Sequence, residues 1–497
     1  MTRPCLATLL LLLLTIAAQA RKGVGCWRGK PSAGRTAMAR QRADMGQLNP
    51  FVGQKRGLVI LAEFPDTKFK TGHDSEKYQQ ILNTPGYTTD EGFRGSVADY
   101  FRDQSAGQFE LVFDVLGPYT AAHNVKYYGE NDAAGDDLRP QELIKEVCLA
   151  ADAEVDFSDY DWNQDGEVDE VFVLYAGKAE VDTYKQEDLI WPHMWTLEES
   201  LGEPLSLDGV TINIYACANE IRNNGKITGI GTICHEFSHC MGLPDFYDIG
   251  YNGSYGMGDY DLMDSGCYLG NEFCPVGYTA YEKMACGWQQ PIVLGSDDVA
   301  VEHLKPMSEQ GDTYIIYNDA HPDEYYMIEN RQKSGWDSYY PAAGLMITHV
   351  DFDWEVWQNN IPNSVMTLKE ARELGITCTN DHERMTFFHA NNSKNSPRLY
   401  PYLGRDSLTA TSLPAATLYN ANSAGTKLMQ SSIRDISQNS DGTVSFTFQA
   451  GRGPVADAIA TVAADSQQPV AAYDLTGRRV TGPRRGVYIV GGRKVAW

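Results

Sequence analysis

Residues 235 to 245 read His-Glu-Phe-Ser-His-Cys-Met-Gly-Leu-Pro-Asp, and few backbones make sense of that order. Folded as a helix, the stretch puts His235 and His239 one turn apart on one face, so two imidazole nitrogens reach one ion. Glu236 falls where a carboxylate takes a proton from a metal-bound water without itself being a ligand. Gly242 stands three residues past His239, where a glycine with positive φ ends a helix and turns the chain. Pro244 keeps the helix from resuming, and Asp245 then swings back under the histidines as a third protein ligand. Two histidines, one carboxylate and an open fourth position describe a catalytic zinc site. Asp248, Asp259, Asp261 and Asp264 are competing carboxylates nearby, but only Asp245 lies three residues beyond Gly242. Two histidines on an ordinary surface helix would leave the glycine, proline and aspartate spacing without a reason.

The order His-Glu-x-x-His-x-x-Gly-x-x-ligand, followed by a methionine turn, is similar to the metzincin arrangement. Asp-Leu-Met-Asp-Ser-Gly at 261–266 supplies the turn, with Met263 either an apolar floor under the ligands or an ordinary core methionine. Asp245 departs from the third histidine that most metzincins carry. Gly-Leu-Pro-Asp-x-Tyr-Asp runs on from the site, with Ile-Trp-Pro-His at 190–193 upstream. Downstream come Tyr-Thr-Ala-Tyr-Glu-Lys at 278–283, Gly-Trp at 287–288, Glu-Asn-Arg at 329–331 and the segment 344–351. With these pieces the chain resembles, over about residues 56 to 390, the immune inhibitor A family of secreted bacterial metalloproteases. The resemblance implies a zinc endopeptidase that cleaves extracellular proteins. His235, His239 and Asp245 would bind the metal and Glu236 would act as general base. His193 would touch substrate or metal, or else be a hydrogen-bonded structural histidine. The alternation of His349 and Asp351 on one strand face suggests a second cation site or a satisfied packing pair.

Residues 1–20 carry Arg3, an apolar run from Leu9 to Ile16 and a small-residue end, the layout of a secretory signal peptide. The expected mature protein is secreted or held at the bacterial surface, with no integral membrane segment left. Acids outnumber bases 66 to 41, a balance that repels nucleic acid and anionic membranes and favours divalent cations. Removing Cys5 from the 10 cysteines leaves an odd number, so at least one stays unpaired. Cys234, Cys240, Cys267, Cys274 and Cys286 cluster around the site, either as staples for its loops or as buried thiols.

Residues 21–55 read as a tail or short pro-segment, in which Cys26 is either a metal-capping thiolate or a tail thiol. A continuous apolar run at 57–64 is short enough for a buried strand. Helices are expected at 96–104 and 140–153, and strands at 109–113, 170–175 and 210–216. Asp161, Asn163, Asp165, Glu167 and Asp169 surround Gly166 with the spacing of the first nine positions of a calcium loop, which points to structural calcium. Position 12 is Phe172, so the bidentate glutamate is missing, and an acidic surface turn is the alternative.

Past residue 293, short alternating runs at 313–317, 325–330, 345–350 and 443–448 indicate a β-sandwich-like domain. A small-residue linker at 450–471 leads to 472–497, where three short strands joined by tight turns resemble the C-terminal sorting signal of the type IX secretion route. The alternative is a small terminal β-unit. The fold class is therefore α+β: a metzincin-like zinc protease domain at 56–292, the β-rich domain at 293–449 and the short β-rich tail. The implied cofactors are catalytic zinc and structural calcium. The implied partners are protein or peptide substrates and, through the tail, secretion machinery. The rival from another class is an exported adhesin or glycan-binding protein built on a protease-like scaffold; an intact Glu236 argues against it, since a binding module has no use for that base.

Overall fold

The computed structural model describes residues 51–132, 135–183, 188–373, 376 and 378–451, and the backbone of four short strands at 472–473, 479–480, 487–490 and 493–496. The expected signal peptide, Cys26 and the body of the linker lie outside the described residues. The fold is α+β.

Five strands form the first sheet, in the order Phe109–Thr120, Gly53–Glu63, Val171–Tyr175, Ile214–Asn219 and His193–Thr196. The first four run parallel and the last is an antiparallel edge. The central strands are apolar on both faces, as a parallel sheet covered on both sides requires. Their two-residue period sorts side chains into two cores. Val59, Leu61, Phe172, Leu174, Ala216 and Ala218 pack with Phe237 of the Gly231–Cys240 helix. Leu58, Ile60, Val171, Val173, Tyr215 and Cys217 face the other way, onto Leu143, Ile144 and Val147 of the Pro140–Ala151 helix.

The Val97–Gln104 helix begins with a capping box between Ser96 and Asp99. The strand expected at 210–216 is divided. Val210–Ile212 closes a hairpin with Leu205–Leu207, and a new strand begins at Ile214. Asn213 breaks the run because its carbonyl accepts from Leu197 N and its side chain from Glu198 N, at 2.9 Å each, instead of continuing the ladder.

A second five-stranded sheet follows, in the order Met385–Phe387, Gly344–Asp351, Glu324–Arg331, Tyr314–Tyr317 and Ile292–Val293. Ile316, Tyr326, Ile328, Leu345 and Ile347 point to a three-stranded sheet of Ser432–Gln438, Val444–Gln449 and Val299–Leu304. Ile315, Met327 and Met346 point the other way, into the same core as Phe237 and Leu243 of the site. The second sheet thus shares a core with the helix that carries the two histidines.

A buried charge network spans this junction. The Arg331 guanidinium donates to Tyr278 O at 2.9 Å, Gly277 O at 2.8 Å and Asp337 Oδ1 at 2.8 Å. Glu329 accepts from Ala280 N, at the start of the Ala280–Ala285 helix. The Glu-Asn-Arg motif therefore fixes how the chain leaves the site region. Cys234, Cys240, Cys267 and Cys274 are buried thiols and staple nothing; Cys234 and Cys267 pack in the apolar core, and burial raises both thiols.

The C-terminal strands make a four-stranded antiparallel sheet in the order Arg479–Val480, Ala472–Tyr473, Val487–Val490, Arg493–Ala496. Four strands stand where the sequence suggests three.

Candidate metal centre

The Gly231–Cys240 helix ends as its sequence requires. Gly242 has φ +91°, its N–H donates to His239 O at 2.8 Å, and Leu243 N donates to Ser238 O at 3.1 Å. This pair of bonds is the Schellman motif, in which a left-handed residue satisfies the last carbonyls of a helix. The turn brings Leu243 O within 2.7 Å of His239 Nδ1. At the other histidine, Leu262 O lies 2.8 Å from His235 Nδ1. A carbonyl only accepts, so each Nδ1 carries the proton and each Nε2 is left with a lone pair.

Both lone pairs are aimed at Asp245. Its Oδ1 lies 3.2 Å from His235 Nε2 and 3.3 Å from His239 Nε2. A tetrahedral zinc with ligand distances of about 2.0–2.1 Å has ligand-to-ligand edges of roughly 3.3 Å, so the donor set fits that ion in chemistry and spacing. His235 is 5% exposed, His239 1% and Asp245 0%, so solvent does not screen the convergence. Burial pulls His239 below the ordinary imidazole range and keeps the ring neutral. Among the described residues, this is the only set of three or more His, Cys, Asp or Glu whose ligating atoms lie within 4.8 Å of one another.

The turn at 261–266 supports the centre from below. Leu262 O orients His235, and Met263 O accepts from Phe246 N, the residue after Asp245, at 2.7 Å. Met263 is fully buried in the core shared with Phe237 and Leu243. Two of the competing carboxylates brace this turn. Asp261 Oδ1 accepts from Met263 N at 2.8 Å, and Asp264 Oδ2 from Gly258 N at 2.6 Å. Asp248 Oδ2 accepts from Asn252 N and Gly253 N in the loop beyond.

Glu236 is 2% exposed and shares with His235 a cavity of about 260 Å³. Trp191, Tyr247, Tyr251 and Tyr268 form its aromatic walls. Trp191 and Tyr247 lie in motifs the sequence offers, whereas Tyr251 and Tyr268 carry no local signal.

His193 sits on the edge strand, buried, with Nδ1 2.6 Å from Trp191 O and Nε2 3.0 Å from Tyr215 Oη. The acidic loop folds on its own amides. Asp161 Oδ1 accepts from Asp165 N and Oδ2 from Gly166 N, while Asp165 Oδ1 accepts from Glu167 N and Asp169 Oδ2 from Trp162 N. Asn163 Oδ1 accepts from Asp165 N at 3.2 Å, and Gly166 has φ +89°. The paired strand residues are engaged separately: His349 Nε2 lies 2.8 Å from Glu324 Oε1, and Asp351 Oδ2 accepts from Arg384 at 2.8 Å.

Residues 51–290 match the immune inhibitor A peptidase M6 catalytic domain. The chain is 28% identical over 267 residues to the pre-pro-metalloprotease PrtV of Vibrio cholerae serotype O1, covering 44% of this chain and 28% of that protein. It is 25% identical over 256 residues to Immune inhibitor A of Bacillus thuringiensis subsp. alesti, covering 44% of this chain and 36% of that protein. Well under half of each relative's length is therefore spanned. These matches support metal-dependent proteolysis as the chemistry of the matched segment. No helix among the described residues is long and apolar enough to cross a membrane.

Proposed function

We propose that this chain is a secreted zinc endopeptidase in which His235, His239 and Asp245 hold the metal and Glu236 is the general base. The observation that carries the proposal is the convergence of two imidazole lone pairs and one carboxylate oxygen at tetrahedral spacing, beside Glu236 and a cavity. Zinc bound there supplies Lewis acidity, which acidifies water and polarises a carbonyl. Glu236 takes the proton of the attacking water and delivers it to the leaving amine, so that hydrolysis needs no free hydroxide and no amide anion. Leu262 O and Leu243 O hold the Nδ1 protons of His235 and His239, which turns each Nε2 lone pair toward the metal. The cavity walled by Trp191, Tyr247, Tyr251 and Tyr268 orients one substrate side chain next to the scissile bond and excludes water from it. Substrates are proteins or peptides met outside the cell.

The 161–169 loop is proposed to take structural calcium through Asp161, Asn163, Asp165, Glu167 and Asp169. What supports this is the clustering of acids around the sharp turn at Gly166. The 472–497 segment is proposed as an address read by secretion machinery, and the antiparallel pairing of its four short strands suits recognition as a unit.

Glu236→Gln should keep zinc at wild-type stoichiometry while peptide hydrolysis falls by roughly two orders of magnitude or more. Retained hydrolysis in the zinc-loaded variant would sink the base assignment, and wild-type activity that survives zinc chelation would sink the function. Calcium should raise the melting temperature of the zinc-loaded wild type and leave Asp165→Ala unmoved; an equal response from both would make the loop an ordinary turn. Deleting residues 472–497 should leave catalysis intact and strand the protein inside the native host, as read by fractionation. Normal export of the shortened chain would remove the address role.

A further inference from the structure

The carboxylate that completes the metal centre is itself gripped by a residue outside the 51–290 match. Asn360 follows the short Trp354–Gln358 helix, and its N–H donates to Trp357 O at 3.1 Å. Its φ is +56°, a left-handed conformation that asparagine enters more readily than most residues. That turn aims its side-chain amide at Asp245. Asn360 Oδ1 accepts the Asp245 backbone N–H at 2.6 Å, and Asn360 Nδ2 donates to Asp245 Oδ2 at 2.6 Å. Asn360 is 2% exposed and Asp245 0%, so no solvent competes for these two bonds.

We propose that Asn360 is the positioning residue of the metal centre. It holds the Asp245 backbone and one carboxylate oxygen at once, leaving the other oxygen, Oδ1, as the single atom facing His235 and His239. The inference rests on the zinc assignment made above. A carboxylate has two equivalent oxygens that exchange by rotation about its last side-chain torsion. With Oδ2 bound to an amide, that rotation is blocked and Asp245 presents one oxygen at 3.2 and 3.3 Å from the two Nε2 atoms. Such outer partners fix ligand orientation and tune ligand basicity, and their loss typically costs about 10–100-fold in metal affinity or activity.

Asn360 can do this because its own segment is fixed. Asn380 Nδ2 donates to Ile361 O at 2.7 Å, and Arg384 N donates to Pro362 O at 2.9 Å. The same segment holds the chain just past the ligand: Asn363 Nδ2 donates to Phe246 O and Ser364 Oγ accepts from Ile249 N, both at 2.8 Å. Those bonds hold backbone, whereas Asn360 alone among them touches the ligand carboxylate.

The test uses the full chain and three variants. Asn360→Gly keeps the left-handed backbone without strain and removes the amide. Asn360→Asp keeps the acceptor and the shape but sets a second carboxylate against Asp245. Asn363→Ala loosens the same segment without touching Asp245. Zinc affinity is measured by chelator competition, coordination by the visible spectrum of the cobalt-substituted protein, and folding by circular dichroism and melting temperature. Asn360→Gly and Asn360→Asp should each bind zinc about 10–100-fold more weakly and alter the cobalt spectrum, with kcat reduced more than KM. Asn363→Ala should lower the melting temperature and keep both zinc affinity and the cobalt spectrum. The isosteric Asn360→Asp carries the comparison if the glycine variant does not fold. Wild-type zinc affinity and cobalt spectrum in a folded Asn360 variant would overturn the positioning role alone. A wild-type protein that binds no zinc would overturn the zinc assignment and this inference together.

Discussion

Three acceptor atoms share one buried space in this protein, and the proposed zinc is what would reconcile them. Two neutral imidazoles and a carboxylate oxygen at 3.2–3.3 Å, away from water, present lone pairs to one another. Without a positive charge between them the arrangement is repulsive; with one it is a ligand set. Much of the surrounding backbone serves to hold it. The Schellman turn at Gly242 delivers Leu243 O to His239, the 261–266 turn delivers Leu262 O to His235, and Met263 O ties the two turns together through Phe246 N.

The support runs well past the segment that resembles known catalytic domains. The second sheet contributes Ile315, Met327 and Met346 to the core on which the site helix rests. Arg331, buried and surrounded by carbonyls and carboxylates, anchors the 277–280 stretch between that sheet and the Ala280–Ala285 helix. Such a buried cation must keep all its partners, because removing one leaves an uncompensated charge costing about 3–5 kcal/mol. The matched segment and the β-rich region therefore share one core, and with Asn360 they also share the candidate metal centre.

The sequence discloses those parts whose chemistry is local. Helical spacing of His235 and His239, the helix-ending Gly242 and the return to Asp245 all depend on neighbours within a dozen residues, and so do the capped helix at Ser96 and the buried strand at 57–64. Asn213 was harder to read. An apolar run passes through it, and only its bonds to 197–198, set by the fold, show that the strand stops there. His193 likewise bears no local mark of its partners Trp191 and Tyr215. Asn360 was beyond reach, since nothing near it in sequence announces a contact with a residue 115 positions away. For the clustered cysteines the sequence leaves staples and buried thiols open, and burial of Cys234, Cys240, Cys267 and Cys274 as small apolar groups decides for thiols.

Zinc K-edge X-ray absorption on the full chain, loaded with one equivalent of metal, tests the ligand set most directly. The expected spectrum shows two imidazole nitrogens with only oxygen besides, all at about 2.0–2.1 Å. A sulfur scatterer at about 2.3 Å would instead bring in a thiol such as Cys240 or Cys267. That result, a third imidazole, or failure to retain the metal would contradict the His235, His239 and Asp245 centre.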